Sequence, residues 1–270
     1  MVAETHARSR VGAWVSAISM GPGAARRSGA PLPVVLHGGD VKRLVRTSRK
    51  FESSRCGWRA RRVRIEFMRK SVTIEEARRL LLARSDVLAR GVSERELRAM
   101  VDNGSIVRVR RGWYVDSAEW EQLWTEGRHL MKVLAVHRES AGGGAAFCFA
   151  SAAVIHGLPL YRTSTTYVHA VLGPTSRSRV KWGVARHHLT VRESDLVEVE
   201  GIRCTSLERT VLDLASRLTP EAAIAVADAA LRRIAVRRHE QDHIAAAEWR
   251  DELGRRAQAL SNRGIVRPER

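Results

Sequence analysis

Changes in hydrophobic period along the chain predict an α+β fold of two successive units behind a basic N-terminal arm. Three observations carry this. Residues 1–67 hold no sustained period. Helical spacing and then a basic alternating run follow one another between Ser71 and Val115. Helix and strand patterns then mix, without an internal repeat, to about Leu260.

The composition bounds the function classes. A chain of 270 residues makes one or two domains, and 44% apolar residues fill an ordinary core. No apolar run has the length of a membrane span, and Glu4, Arg8 and Arg10 interrupt any signal-peptide pattern. The expected location is therefore the cytoplasm, with no membrane partner. Cys56, Cys148 and Cys204 lie far apart in no metal-like spacing, which suits a reducing compartment. The net charge of +18 favours a polyanionic partner, nucleic acid first. Its distribution tempers this, because residues 1–70 carry 16 basic and 4 acidic side chains while residues 71–270 carry 31 and 25.

Most of the charge excess thus sits in residues 1–67, with Gly21-Pro22-Gly23, the run Ser28–Pro33 and the cluster Arg59–Arg64. These read as a disordered basic arm. An equal reading places the true start at Met68, with the arm as upstream sequence; a targeting peptide is a third. All three make residues 1–67 dispensable for folding.

Residues 68–117 form the first predicted unit. Ile74, Ala77, Leu80 and Leu81 recur at helical spacing, giving a helix over 73–83. A short helix over Ser85–Ala89 stops at Gly91. Ser93 opens a third helix, and Glu96 completes a capping box. Leu97, Met100 and Val101 line one face, and Asn103-Gly104 ends it. Ile106–Arg110 alternates apolar and basic, Arg111-Gly112 turns, and Trp113–Val115 returns as a hairpin. Three short helices followed by a basic hairpin is the order of a winged helix-turn-helix.

Residues 118–260 read as a mixed α+β domain, with 261–270 as a tail. The expected elements are a helix over Trp120–Val136, a strand over Ala146–Ala150, and a short helix from a Ser151 cap through Val154. Strands follow at Tyr167–Leu172 and Val184–Leu189, joined by a Gly173–Lys181 loop. A hairpin turns at Gly201, and Ser206 caps a helix through Leu218. Pro220 starts a helix to about Arg233, and a last helix covers about Glu240–Leu260.

The apolar stripe of the third helix leaves Glu94, Arg95, Arg98 and Asp102 facing solvent. An arginine there can take guanine O6 and N7 together, and a glutamate can accept from cytosine N4. Arg108, Arg110 and Arg111 of the hairpin are placed to meet phosphates or the minor groove. The expected double-stranded DNA-binding set is therefore Ser93, Glu94, Arg95, Arg98, Arg108, Arg110 and Arg111. The competing reading is a protein-contact module whose charges are merely solvated. Glu94 counts against DNA, since the capping box accounts for Glu96 alone.

No catalytic residue, cofactor or metal is expected. His239-Glu240-Gln241-Asp242-His243 matches HExxH, but Arg237 and Arg238 flank it and Asp242 charges its interior. It reads instead as the solvated first turn of the last helix. His187 and His188 point to opposite faces of a strand. His156 reads as a packed histidine. Arg203, Arg209 and Asp213 read as internal braces, the last two as an i,i+4 pair. Ser206 has no nearby histidine to activate it, and Gly142-Gly143-Gly144 lacks the GK[ST] of a phosphate loop.

Residues 91–114, GVSERELRAMVDNGSIVRVRRGWY, resemble the N-terminal winged-helix domain of AbiEi-family antitoxins of type IV toxin–antitoxin systems. FASAAVIHGLPL (149–160), EVEGIRCTSLERTVLDLA (198–215) and AAIAVADAALRR (222–233) resemble the second part of the same architecture. The resemblance covers about residues 73–245. It implies a DNA-binding transcriptional regulator, an antitoxin that represses its own promoter, with a neighbouring nucleotidyltransferase toxin as partner and no enzymatic activity. It fixes no oligomeric state. Similar chains continue into a small endonuclease-like domain, so a truncated member of a nuclease-associated family is one alternative. A winged-helix regulator without a toxin is the other.

Overall fold

Two capping boxes organise the N-terminal part of the fold. Thr73 Oγ1 accepts from Glu76 N at 3.2 Å and Glu76 accepts from Thr73 N at 2.8 Å, which opens α1 (Ile74–Leu80). Ser93 and Glu96 repeat the device at α3 (Glu94–Asp102), at 3.3 and 2.8 Å. Each box satisfies donors that a helix start otherwise leaves open. The structure, a computed structural model, describes residues 70–140, 146–172, 180–237 and 240–261. From Met68 onward these belong to one compact unit; a second unit, Met20–Phe67, lies outside the described residues, as does the expected basic arm.

After α1 the chain runs β1 (Leu82–Ala83), α2 (Arg84–Ala89), α3, β2 (Ile106–Arg110) and β3 (Trp113–Asp116). The three strands form one sheet in the order β1-β3-β2. The expected helix over 73–83 is too long. Leu81, 3% exposed, turns extended to stay in the core, and Leu82 and Ala83 then pair with Tyr114 and Trp113. The third helix and the hairpin fall where the sequence placed them, with Gly104 and Gly112 at φ +76° and +79° supplying the turns.

The expected helix over Trp120–Val136 is two helices, α4 (Ser117–Gln122) and α5 (Thr125–Glu139). Leu123 breaks them. It is fully buried and extended, and Lys70 N donates to Gln122 O at 2.7 Å beside it. A buried leucine and a crossing strand-like segment override the helical period there.

The remainder runs α6 (Phe149–Ile155), β4 (Val168–Leu172), β5 (Val180–Lys181), β6 (Val184–His188), β7 (Leu196–Val199), β8 (Ile202–Thr205), α7 (Leu207–Ala215), α8 (Pro220–Ala235), β9 (Val236–Arg237), β10 (Glu240–Gln241) and α9 (His243–Ser261). β4 and β6 are parallel, while β5–β6 and β7–β8 are antiparallel hairpins. The expected strand over Ala146–Ala150 shrinks to Phe147, which bridges Ala170 of β4 and Cys204 of β8 and so joins the two sets of strands. The expected Ser151 cap is also corrected. Helix α6 already begins at Phe149, behind Cys148, so Ser151 lies inside it with its side chain buried.

The C-terminal elements follow the sequence more closely. Ser206 Oγ accepts from Arg209 N at 3.3 Å to cap α7, which ends at Ala215 rather than Leu218. Pro220 starts α8. The last helix starts later than expected, at His243, because Glu240 and Gln241 pair with Arg237 and Val236 as a small hairpin. Helices α7, α8 and α9 pack together, and Trp249, Leu253 and Ala257 of α9 enter the core.

The main core is continuous from α1 to α9: Ile74, Ala77 and Leu81 pack with Leu130, Leu134, Val154, Ile202, Val226 and Leu253. A smaller cluster of Val87, Leu97, Ile106 and Tyr114 holds α2 and α3 onto the β2–β3 hairpin. Among the described residues no helix is long and apolar enough to cross a membrane.

Candidate nucleic-acid interface

The small cluster around Leu97 decides what α3 presents. Leu97 is buried, and Met100 and Val101 pack against the same cluster, so Glu94, Arg95, Arg98 and Asp102 are left exposed as the sequence predicted. Glu96 is held below the usual carboxylate range by the Ser93 backbone N–H and then the Ser93 hydroxyl, which fixes it as a charged cap. Glu94 forms an ion pair with Arg84 of α2. Arg84 was not singled out in the sequence. The pair spans ten residues, so helical spacing carried no signal for it. Among the described residues neither Arg95 nor Arg98 makes an ion pair.

Helix α3 and the β2–β3 hairpin meet in an open groove of about 710 Å³ whose lining includes Arg84, Glu94, Arg98, Arg108, Arg111 and Tyr114. Four of the seven expected DNA-contacting residues therefore share one surface. Arg108 and Arg111 are exposed, and Arg111 lies 5.8 Å from the centre of the Trp182 ring. The groove's one carboxylate, Glu94, is neutralised by Arg84, which leaves Arg98, Arg108 and Arg111 as the charge it offers.

Arg110 departs from the expectation. Its Nε donates to Glu139 Oε2 of α5 at 2.6 Å, and it also donates to the Trp182 carbonyl. Strand alternation puts Arg108 and Arg110 on one face, but the β2–β3 register slips between them, with Arg108 opposite Tyr114 and Arg110 opposite Trp113. The irregularity breaks the strict alternation, and Arg108 lines the groove with Arg98 while Arg110 does not. Arg110 thus ties the hairpin to α5 and to the β5–β6 turn. Arg110→Ala is expected to lower stability by about 1 kcal/mol. It should also leave the salt dependence of any duplex binding unchanged, read by urea unfolding and by salt titration.

A second polar cluster, unforeseen in the sequence, lies in the core between α5, α6, β4 and β6. Ser151 Oγ accepts from His169 N at 2.8 Å and is hydrogen-bonded to His129 Nε2 at 3.0 Å. His169 Nδ1 and His187 Nε2 stand 2.9 Å apart with their rings stacked, and Phe149 meets both rings edge-on. Burial, helped by the charges of His169 and Lys132, pushes His129 down to about 3, so it is neutral at physiological pH. The sequence placed His187 and His188 on opposite faces of a strand, and the burial agrees, with His187 buried and His188 exposed. It offered no way to see that His129, far away in the chain, joins them.

The remaining candidates have internal partners. His156 is buried with Nε2 donating to Thr205 O at 2.8 Å, a packed histidine as expected. Arg209 Nε donates to Asp213 Oδ1 at 2.8 Å and Arg209 also bonds Thr190 O and Asp195, so the expected brace is present. Arg203, expected as a third internal brace, is instead an exposed partner of Glu193. Cys148 and Cys204 are buried, and burial raises both thiols, Cys204 to about 12, so neither is a ready nucleophile. His239 of the HExxH segment lies outside the described residues. Its Glu240 sits in β10, not in the first turn of α9. Among the described residues no group of three or more His, Cys, Asp or Glu side chains is placed to hold a metal.

The fold is mixed α+β, with an exposed basic groove at the N-terminal end and a C-terminal part whose buried polar groups brace it internally. Residues 145–262 match the family model of the AbiEi antitoxin C-terminal domain. The chain therefore carries an AbiEi antitoxin domain, and the family resemblance seen at FASAAVIHGLPL and EVEGIRCTSLERTVLDLA is upheld over that stretch. The match supports an antitoxin role in a toxin–antitoxin system, a regulatory rather than an enzymatic family. No curated protein matches the chain.

Proposed function

We propose that residues 70–116 are a winged helix-turn-helix that binds duplex DNA, and that the chain is an autorepressing antitoxin of a type IV system whose partner is a nucleotidyltransferase toxin. The observation that carries the DNA-binding part is the groove in which Arg98 of α3 meets Arg108 and Arg111 of the β2–β3 hairpin. The order α1–β1–α2–α3–β2–β3 and its β1-β3-β2 sheet support the fold name. Helix α3 enters the major groove with Arg95 and Arg98 toward base edges, and Ser93 and Glu96 hold its first turn. The hairpin lies along the flanking backbone with Arg108 and Arg111 on phosphates or in the minor groove. Glu94 no longer argues against DNA, since Arg84 pairs with it. The antitoxin part rests on the family match over residues 145–262.

The test is titration of the DNA just upstream of the reading frame, and of a scrambled duplex of equal length, at several salt concentrations. Specific proteins bind their sites roughly 10³–10⁷-fold more tightly than other sequence. A clear preference for the upstream duplex, with repression of a reporter driven by it, is the expected result. Equal affinity for both duplexes would leave the groove a protein-contact surface and sink the repressor reading.

A further inference from the structure

We propose that the β5–β6 turn, through Trp182 and Lys181, is a second DNA-contacting element beside the β2–β3 hairpin. The inference rests on the duplex-binding reading above and extends its footprint onto the C-terminal part of the chain.

The turn is unusual for its residue. Lys181 pairs with Val184, which leaves Trp182-Gly183 as a two-residue loop, and φ is positive at both, +56° and +75°. Such turns favour Asn-Gly or Gly-Gly. A bulky side chain with positive φ is a genuine outlier, and strain of this kind gathers at functional positions. The indole gains little burial in exchange, because Trp182 is 62% exposed.

Its surroundings are basic. Arg111 Cζ and Lys181 Nζ each lie 5.8 Å from the ring centre. Arg110 bonds the Trp182 carbonyl and so fixes the turn to the hairpin. The cleft between them is lined by Arg108, Arg111, Lys132 and Trp182, and its one carboxylate, Glu139, is held by Arg110. Arg108 and Arg111 also line the groove that contains Arg98. Arg98, the hairpin and Trp182 therefore succeed one another along one surface.

A flat apolar ring with two cations beside it suits the sugar–phosphate strand of a duplex. The ring packs on deoxyribose while Arg111 and Lys181 meet nearby phosphates. Such contacts position the protein and carry no sequence information.

The test uses Trp182→Gly, Trp182→Phe and Lys181→Gln in the full chain, with Arg98→Ala as reference, against the upstream duplex and the scrambled one. Trp182→Gly should weaken both duplexes alike, by about tenfold, the scale of losing one aromatic contact. Its thermal midpoint should hold or rise, because glycine suits the positive φ. Trp182→Phe should keep most of the affinity, and Lys181→Gln should reduce the salt slope by about one counterion. If Trp182→Gly binds as the parent does while Arg98→Ala loses affinity, this inference falls and the duplex-binding reading stands. If the parent binds neither duplex, both fall. A lowered midpoint for Trp182→Gly would mark the ring as a structural element and overturn the proposal.

Discussion

Replacing Arg209 by methionine is expected to destabilise the fold by about 3–5 kcal/mol, the scale for breaking a buried ion pair by removing one partner. Arg209 is 2% exposed and Asp213 8%. Arg209 bonds Asp213 Oδ1 at 2.8 Å, the Thr190 carbonyl at 3.0 Å and Asp195 Oδ2 at 3.3 Å, and Arg256 closes the set onto Asp195 Oδ1 at 3.4 Å. One guanidinium thus joins α7 to the segment before β7 and, through Asp195, to α9. Methionine fills much the same volume, so the loss comes from the stranded charge rather than from a cavity.

The pH dependence gives the sign of that explanation. Burial pushes Asp213 from 3.8 up to about 6, while the charge and hydrogen bond of Arg209 pull the other way. The folded parent therefore binds this proton more readily than the unfolded chain between those values. This group's contribution is fully present below 3.8 and is lost as pH rises through about 6. Without Arg209 the folded value of Asp213 rises further. The deficit of Arg209→Met relative to the parent should then be largest near neutrality and shrink on acidification through about pH 5. Urea unfolding of both proteins at about pH 7.5 and about pH 5 reads this. A deficit under about 1 kcal/mol at the higher pH, or one that grows at the lower, would contradict the account.

What the sequence showed and what it hid divide along one line. Features written in local spacing were legible: the Ser93–Glu96 capping box, the Leu97 stripe, the turns at Gly104, Gly112 and Gly201, the Arg209–Asp213 pair, and the opposed faces of His187 and His188. Features set by the tertiary environment were not. Leu123 ends a helix because a buried site is waiting for it, and Phe147 becomes a bridge because β4 and β8 flank it. The bulge between Arg108 and Arg110 is a property of the pairing, and alternation alone placed both side chains on one face. At the candidate site this cost Arg110, which is spent internally, and missed Arg84 and Trp182, whose contacts with Glu94 and Arg111 follow no helical or strand spacing. A tryptophan before a glycine was the one local hint at the β5–β6 turn, and it reads as an ordinary apolar residue until its φ is known.

The largest effect on DNA is expected at α3. Arg95→Ala and Arg98→Ala should each cost about 1–3 kcal/mol on the preferred duplex and relax base choice at one position. Both side chains are exposed on the first turns of a helix whose N-terminus is rigidly capped, and among the described residues neither has an ion-pair partner to lose. Their removal should therefore leave folding untouched, which separates them from Arg110. The hairpin residues should behave in another way. Arg108→Ala and Arg111→Ala should weaken every duplex alike and reduce the salt slope by about one counterion each, because a phosphate contact is the same at every base pair. Arg111 is also the hairpin residue nearest the turn, so its loss should blunt any preference for A·T-rich flanks, where a narrow minor groove draws an arginine in. The double variant Arg95→Ala, Arg98→Ala should bind the upstream and scrambled duplexes with nearly equal affinity and keep the parent's salt slope to within about two counterions. These comparisons belong in a chain starting at Met68, since residues 1–67 carry 14 basic side chains and would hold any duplex weakly. Retained discrimination in the double variant would move base reading away from α3, and a slope unchanged by Arg108→Ala and Arg111→Ala would take the hairpin off the backbone.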